Sequence, residues 1–189
     1  MRIFLGLLFL SIASVNLTAQ TQPSNEIALD YTYVHTNAPP GGCGCFSMNG
    51  GSGSYAYHLD PRFAAVFEVG AVHAAKVDGT GLDLTLTSYL VGPRFFYRRP
   101  HARFVPYGQV LLGPVRATGG LAPANSGGSP SSTVFGSALG GGVEFNISRT
   151  ITLRVAQVDY FVTTFDNKVD GHQNNLRVSA GAAYHFGKR

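Results

Sequence analysis

Between Asn175 and Phe186 apolar and polar positions alternate without a break. Leu176, Val178, Ala180, Ala182, Tyr184 and Phe186 share one parity, and Asn175, Arg177, Ser179, Gly181, Ala183 and His185 the other. A period of two predicts a β-strand with two unlike faces. The device recurs. Ile27 to Thr36 sets Ile27, Leu29, Tyr31 and Tyr33 against Ala28, Asp30, Thr32 and Val34, and Phe46 to Leu59 sets Tyr55, Tyr57 and Leu59 against Gly50, Ser52, Ser54 and Ala56. Phe63 to Asp78 sets Phe63, Ala65, Phe67, Val69 and Ala71 against Ala64, Val66, Glu68, Gly70 and Lys76, which turns Glu68 inward. In Leu82 to Arg98 the outward parity carries Tyr89, Val91, Phe95 and Tyr97, and the inward one Gly92 and Arg94. Leu82, Leu84 and Leu86 also fall on the inward parity, so either a bulge or a stretch standing above a membrane is expected there. Arg103 to Ala117 reads as a strand of ambiguous facing. Thr133 to Asn146 restores the contrast, with Phe135, Leu139, Val143 and Phe145 against Gly136, Ala138, Gly140, Gly142 and Glu144. Ile151 to Phe165 points Arg154 inward, and the opposite parity of Gln157 and Asp159 predicts a bulge.

That makes eight predicted strands, and three of the four connections at one end are longer than those at the other. Asn37 to Gly44, Gly79 to Gly81, Gly119 to Ser132 and Asp166 to Gln173 share one end; Asp60 to Arg62, Arg99 to Ala102 and Asn146 to Thr150 share the other. Long loops at one end, short turns at the other and an even strand number are the pattern of an antiparallel up-and-down barrel that crosses an outer membrane. A soluble lipocalin-type barrel has the same strand count but puts its apolar residues inside. Here glutamate and arginine share the minority face with glycine, which favours lipid outside. The expected fold is therefore an all-β, eight-stranded antiparallel transmembrane β-barrel over 27–186, with a lead at 20–26 and a tail at 187–189.

Composition sharpens this picture. Charged residues make up 13% of the 189, about half the share of a soluble protein, while Gly 24 and the 22 Tyr and Phe favour strands and turns over helices. The net charge of +4 is spread without a Lys/Arg run, so nucleic acid is not an expected partner. Met1-Arg2, the apolar run from Ile3 to Val15 and Leu17-Thr18-Ala19 read as a signal peptide over 1–19 cut after Ala19. No cysteine stands at that cut, so a lipid anchor is not indicated.

Candidate chemistry is sparse. The inward parities bring Glu68, Arg94, Glu144, Arg154 and Arg177 into one lumen, where charges must pair, and an ion-pair plug is the expected result. Cys43 and Cys45 supply only half of a tetrahedral metal set, with Met48 and His35 poor completions. In an exported protein oxidation is the commoner fate, as a small strained ring or a bond to another chain. A hydrolase needs Ser beside His, and none of the six histidines has a Ser within two residues, although a triad could still assemble across strands. No catalytic residue, metal or cofactor is expected.

The stretches Tyr89-Leu90-Val91-Gly92-Pro93-Arg94-Phe95, Val105-Pro106-Tyr107-Gly108, Gly140-Gly141-Gly142-Val143-Glu144 and Ala183-Tyr184-His185-Phe186 carry a resemblance. In their order and spacing the chain resembles the small outer-membrane β-barrel family whose type case is the OmpA membrane domain. Gly187-Lys188-Arg189 follow the final aromatic on which such barrels usually end, and the peptidoglycan-binding domain of some members does not follow. The resemblance implies a monomeric barrel in the bacterial outer membrane, in contact with its lipid and serving a structural or surface-interaction role, with the loops 37–44 and 119–132 as the place for a surface ligand. A narrow porin-like channel is the alternative, and a lipid A-modifying enzyme a third reading.

Overall fold

The computed structural model describes residues 25–36, 45–75, 77, 81–100, 102–120, 122, 131–165 and 171–187. Eight strands run in chain order: β1 Asn25–Thr36, β2 Phe46–Asp60, β3 Phe63–Ala74, β4 Leu84–Phe96, β5 Phe104–Thr118, β6 Ser131–Asn146, β7 Ile151–Thr163 and β8 Gln173–Phe186. Each pairs antiparallel with its neighbour, and β1 pairs with β8, so the sheet closes into a barrel with no free edge. Closure satisfies every ladder, the condition for a sheet to sit in hydrocarbon. The strands have 12 to 16 residues, longer than the ~10 needed to cross a bilayer at a tilt. The leader and lead over 1–24, the loop 37–44 with Cys43, and 123–130 of the loop expected at 119–132 lie outside the described residues.

Local chemistry sets the turn end. Asp60 Oδ1 accepts the amide of Arg62 at 2.6 Å, which tightens the two-residue link between β2 and β3. Ser148 Oγ accepts the amides of Thr150 and Ile151 at 3.2 and 3.0 Å between β6 and β7. At the opposite, loop end, the amide of Gly120 donates to Asp83 Oδ1 at 3.1 Å, joining two connections and holding the Asp83 carboxyl below its usual range.

The outward parity is apolar all round the wall. Leu29, the most exposed large apolar residue at 76%, shares this face with Val91, Leu139, Val158 and Leu176. Aromatic rings gather toward the turn end, where Phe63 and Phe95 meet edge-on at 4.8 Å, Phe104 lies 4.9 Å from Phe145 and Tyr184 stacks on Phe186. Toward the loop end Tyr31 and Tyr33 hydroxyls bond Asn49 and Ser47, each at 2.6 Å. Greasy rings with a wet end at both borders of an apolar band are what a membrane interface selects.

Strand facing follows the predicted parities in β1, β2, β3, β6 and β8. In β7 the bulge is present, with register shifts at Arg154/Gln157 against β8 and at Val143/Glu144 against β6. It lets Arg154, Gln157 and Asp159 all turn inward and buried. The bulge expected as one explanation for the leucines of β4 does not occur against β3. The ladder to β3 runs unbroken from Phe63↔Phe95 to Ala74↔Leu84, so Leu86 and Leu90 point into the lumen. They join Val34, Met48, Val72, Val115 and Phe161 in an apolar layer that fills the loop end of the interior. β5 resolves likewise: Val105, Tyr107, Gln109, Leu111 and Val115 face in, while Val110 and Leu112 face out. The buried apolar side chains thus gather mainly toward the loops, though Phe96 and Val105 of the same cluster lie at the turn end, and the charged groups run from mid-barrel, where Arg177 lies over Phe161, to the turns.

Candidate functional site

The five charged residues predicted for the lumen are all there and buried, but they do not pair only with one another. Arg177 on β8 reaches across to Glu68 on β3 through Nη1, and its Nε and Nη2 donate to Asp159 Oδ2 on β7 at 3.0 and 2.8 Å. Arg154 on β7 donates through Nη1 to Asp30 Oδ2 at 2.6 Å and through Nη2 to Glu26 Oε1 at 3.1 Å, both on β1. Its contact with Glu144 is longer, at 3.5 Å. Arg94 on β4 pairs with neither glutamate predicted for it; it donates to Glu26 Oε1 at 3.3 Å and to Gln109 Oε1 at 3.0 Å. The guanidinium of Arg94 also lies 4.8 Å above the Tyr107 ring.

Two bridging amides make this one network. Gln109 Nε2 donates to Asp159 Oδ1 at 3.1 Å, Gln157 Nε2 to Asp159 Oδ2 at 2.8 Å, and the Tyr107 hydroxyl to Gln157 Oε1 at 2.6 Å. The β6 glycines provide the room. A Cβ on Gly142 would stand 2.7 Å from the Tyr107 hydroxyl and one on Gly140 2.5 Å from Asp159 Oδ1. Every guanidinium contact named joins strands that are not hydrogen-bonded neighbours, apart from Arg177–Asp159, Arg94–Gln109 and the longer Arg154–Glu144. The network therefore spans the lumen from wall to wall.

Its hub, Glu26, lies on the inward parity of β1, one residue before the expected start of the barrel. The pattern carried the signal, since Glu26 shares parity with Ala28 and Asp30. Its Oε1 takes the two arginines, and its Oε2 faces two histidines at the turn end. His58 Nε2 on β2 is 3.3 Å away and His185 Nδ1 on β8 is 3.8 Å away. Glu26 is the ladder partner of His185, and the final inward position of β2 brings in His58. The ring of His58 packs 5.2 Å from Phe96, and His185 Nε2 meets Thr152 Oγ1 at 2.9 Å.

Cys45 is exposed just before β2, and Cys43 lies outside the described residues, so the expected oxidised pair falls there too. A serine and histidine do meet across strands: His35 Nδ1 is 3.2 Å from Ser47 Oγ, on the exposed outer face near the loop end. Ser47 is shared with the Tyr33 hydroxyl, and the described contacts of His35 include no carboxylate to orient it.

The sequence over 4–186 matches the outer membrane protein β-barrel domain family. The chain belongs to that family. It is a protein of the bacterial outer membrane, and lipid is the solvent of its apolar outer face. Among solved structures it is similar to Neisserial surface protein A, at 15% identity with a TM-score of 0.63, covering 86% of this chain and 97% of that one. It is similar also to Ail, the attachment invasion locus protein of Yersinia pestis, at 18% identity with a TM-score of 0.58, covering 87% and 99%. Ail has a further structure in complex with the heparin analogue sucrose octasulfate, matched at a TM-score of 0.53. No curated protein matches by sequence.

Proposed function

We propose that this barrel is a closed, non-conducting outer-membrane protein, exported by the signal peptide over 1–19 and acting as a monomer through envelope structure or a surface partner. The observation that carries the reading is the wall-to-wall network of Arg94, Arg154 and Arg177 with Glu26, Asp30, Glu68 and Asp159. Above it sits the apolar layer of Met48, Leu86 and Phe161. An eight-stranded lumen is only wide enough for its own side chains, and a permeating ion would have to displace paired charges and then cross a greasy layer. With the interior committed to its own side chains, recognition falls to the loops, and Ail, a barrel of similar fold, has been solved in complex with a heparin analogue. The non-enzymatic reading is supported by the His35–Ser47 contact, the one Ser–His contact among the described residues, which lies exposed on the outer face, and by Ser52 and Ser179, whose hydroxyls bond Thr32 rather than a histidine.

Planar-bilayer recording on the refolded protein tests this. Wild-type protein, shown to be folded by heat-modifiable gel migration, is expected to leave the bilayer silent. Reproducible ohmic steps would establish the channel reading instead.

A further inference from the structure

We infer that Glu26, His58 and His185 form a binding site for one divalent transition-metal ion at the turn end of the lumen. Their donor atoms, one from each residue, all lie within 4.8 Å of one another, and the three side chains are buried. An ion in the plane of Glu26 Oε2, His58 Nε2 and His185 Nδ1, at the point equidistant from them, would sit about 2.4 Å or less from each. Zinc binds imidazole nitrogen and carboxylate oxygen at about 2.0–2.2 Å, so a contraction of a few tenths of an ångström suffices. The pair 3.3 Å apart already has the spacing of two ligands on one tetrahedral ion.

Two further observations point to a cation. The first is the tautomer of His185. Thr152 Oγ1 donates its single proton to Asn146 Oδ1 at 3.0 Å, so its 2.9 Å contact with His185 Nε2 has the imidazole N–H as donor. The Nδ1 lone pair then faces the Glu26 carboxylate with no proton between them. A hydrogen bond from the far nitrogen, fixing ring and tautomer, is how metal-ligating histidines are held. The second is charge. Among the described residues the five buried carboxylates of Glu26, Asp30, Glu68, Glu144 and Asp159 face three buried guanidiniums, of Arg94, Arg154 and Arg177, and the half-buried Arg98. Counted as ionised, these groups give one carboxylate more than guanidiniums, and the His cluster presents a carboxylate oxygen, Glu26 Oε2, that no arginine occupies. Two imidazoles and one carboxylate suit Zn²⁺, Ni²⁺, Co²⁺ or Cu²⁺ and disfavour Mg²⁺ and Ca²⁺.

The probe is Co²⁺, titrated into untagged, refolded protein in detergent and followed by visible absorbance and calorimetry, with Zn²⁺ as competitor and Mg²⁺ as control. One ion per folded chain is expected, with ligand-field bands that Zn²⁺ removes and Mg²⁺ does not. His58→Ala and His185→Ala are expected to weaken binding about tenfold or more, each checked for folding by gel migration. The double variant His35→Ala/His73→Ala, which changes only exposed outer-face rings, is expected to bind as wild type does. A folded wild type that takes up no Co²⁺ overturns the inference. So does stoichiometric binding that survives both buried-histidine substitutions or is lost in the outer-face double variant.

Discussion

Glu26→Ala is expected to destabilise the barrel more than Glu68→Ala or Glu144→Ala, by about 3–5 kcal/mol. Glu26 is bonded by both Arg94 and Arg154 and contacts two histidines, so its loss leaves Arg94 with Gln109 as its bonded partner and no paired carboxylate in a closed interior, and takes from Arg154 one of its two short carboxylate bonds. Glu68 and Glu144 rank below it. Glu68→Ala leaves Arg177 its two bonds to Asp159, and Glu144→Ala removes only a 3.5 Å contact from an arginine that keeps Asp30 and Glu26. Reversible urea unfolding in lipid vesicles gives the order directly. A Glu26→Ala midpoint equal to wild type, or one lowered less than that of Glu144→Ala, would contradict the network drawn here.

The second large effect belongs to the other face. Leu139→Arg is expected to cost about 2–4 kcal/mol in vesicles, because the position lies mid-strand in β6, outward, between Val110 and Tyr160 on the flanking strands. An arginine there has to reach a distant interface or thin the bilayer. Tyr184→Arg, near the turn-end border, is expected to cost no more than about 1 kcal/mol for the charge itself. The same unfolding series measures both. Equal tolerance at the two depths would mean that Leu139 does not face hydrocarbon.

The barrel was legible wherever its two faces differ in chemistry. In β8 and β6 the outward parity carries Leu176, Tyr184, Phe186, Phe135 and Leu139 and the inward one Arg177, Ser179, Gly140 and Glu144, so parity alone told the two faces apart. In β5 and the first half of β4 the signal vanished for a physical reason. The loop end of the interior is itself apolar, so Leu86, Leu111 and Val115 inside cannot be told by polarity from Val110 and Leu112 outside. The charged lumen was half legible. Arg177, Glu68 and Arg154 declared themselves by parity, but Asp159 was hidden behind the β7 bulge and Glu26 stood just before the apolar run that marks β1. The histidine cluster had no motif at all. Glu26, His58 and His185 meet only because β1 lies between β2 and β8, and that adjacency exists only once the barrel has closed.

The central claim is that hydrocarbon surrounds the apolar wall while the network is sealed within it. Methyl groups on both faces make this testable without mutation. In methyl-labelled protein in lipid nanodiscs, nuclear Overhauser contacts to acyl-chain protons are expected for Leu29, Val91, Leu139, Val158 and Leu176, and none for Val34, Val66, Leu90, Leu111 and Val115. Acyl-chain contacts to the second group, or water contacts throughout the first, would contradict it.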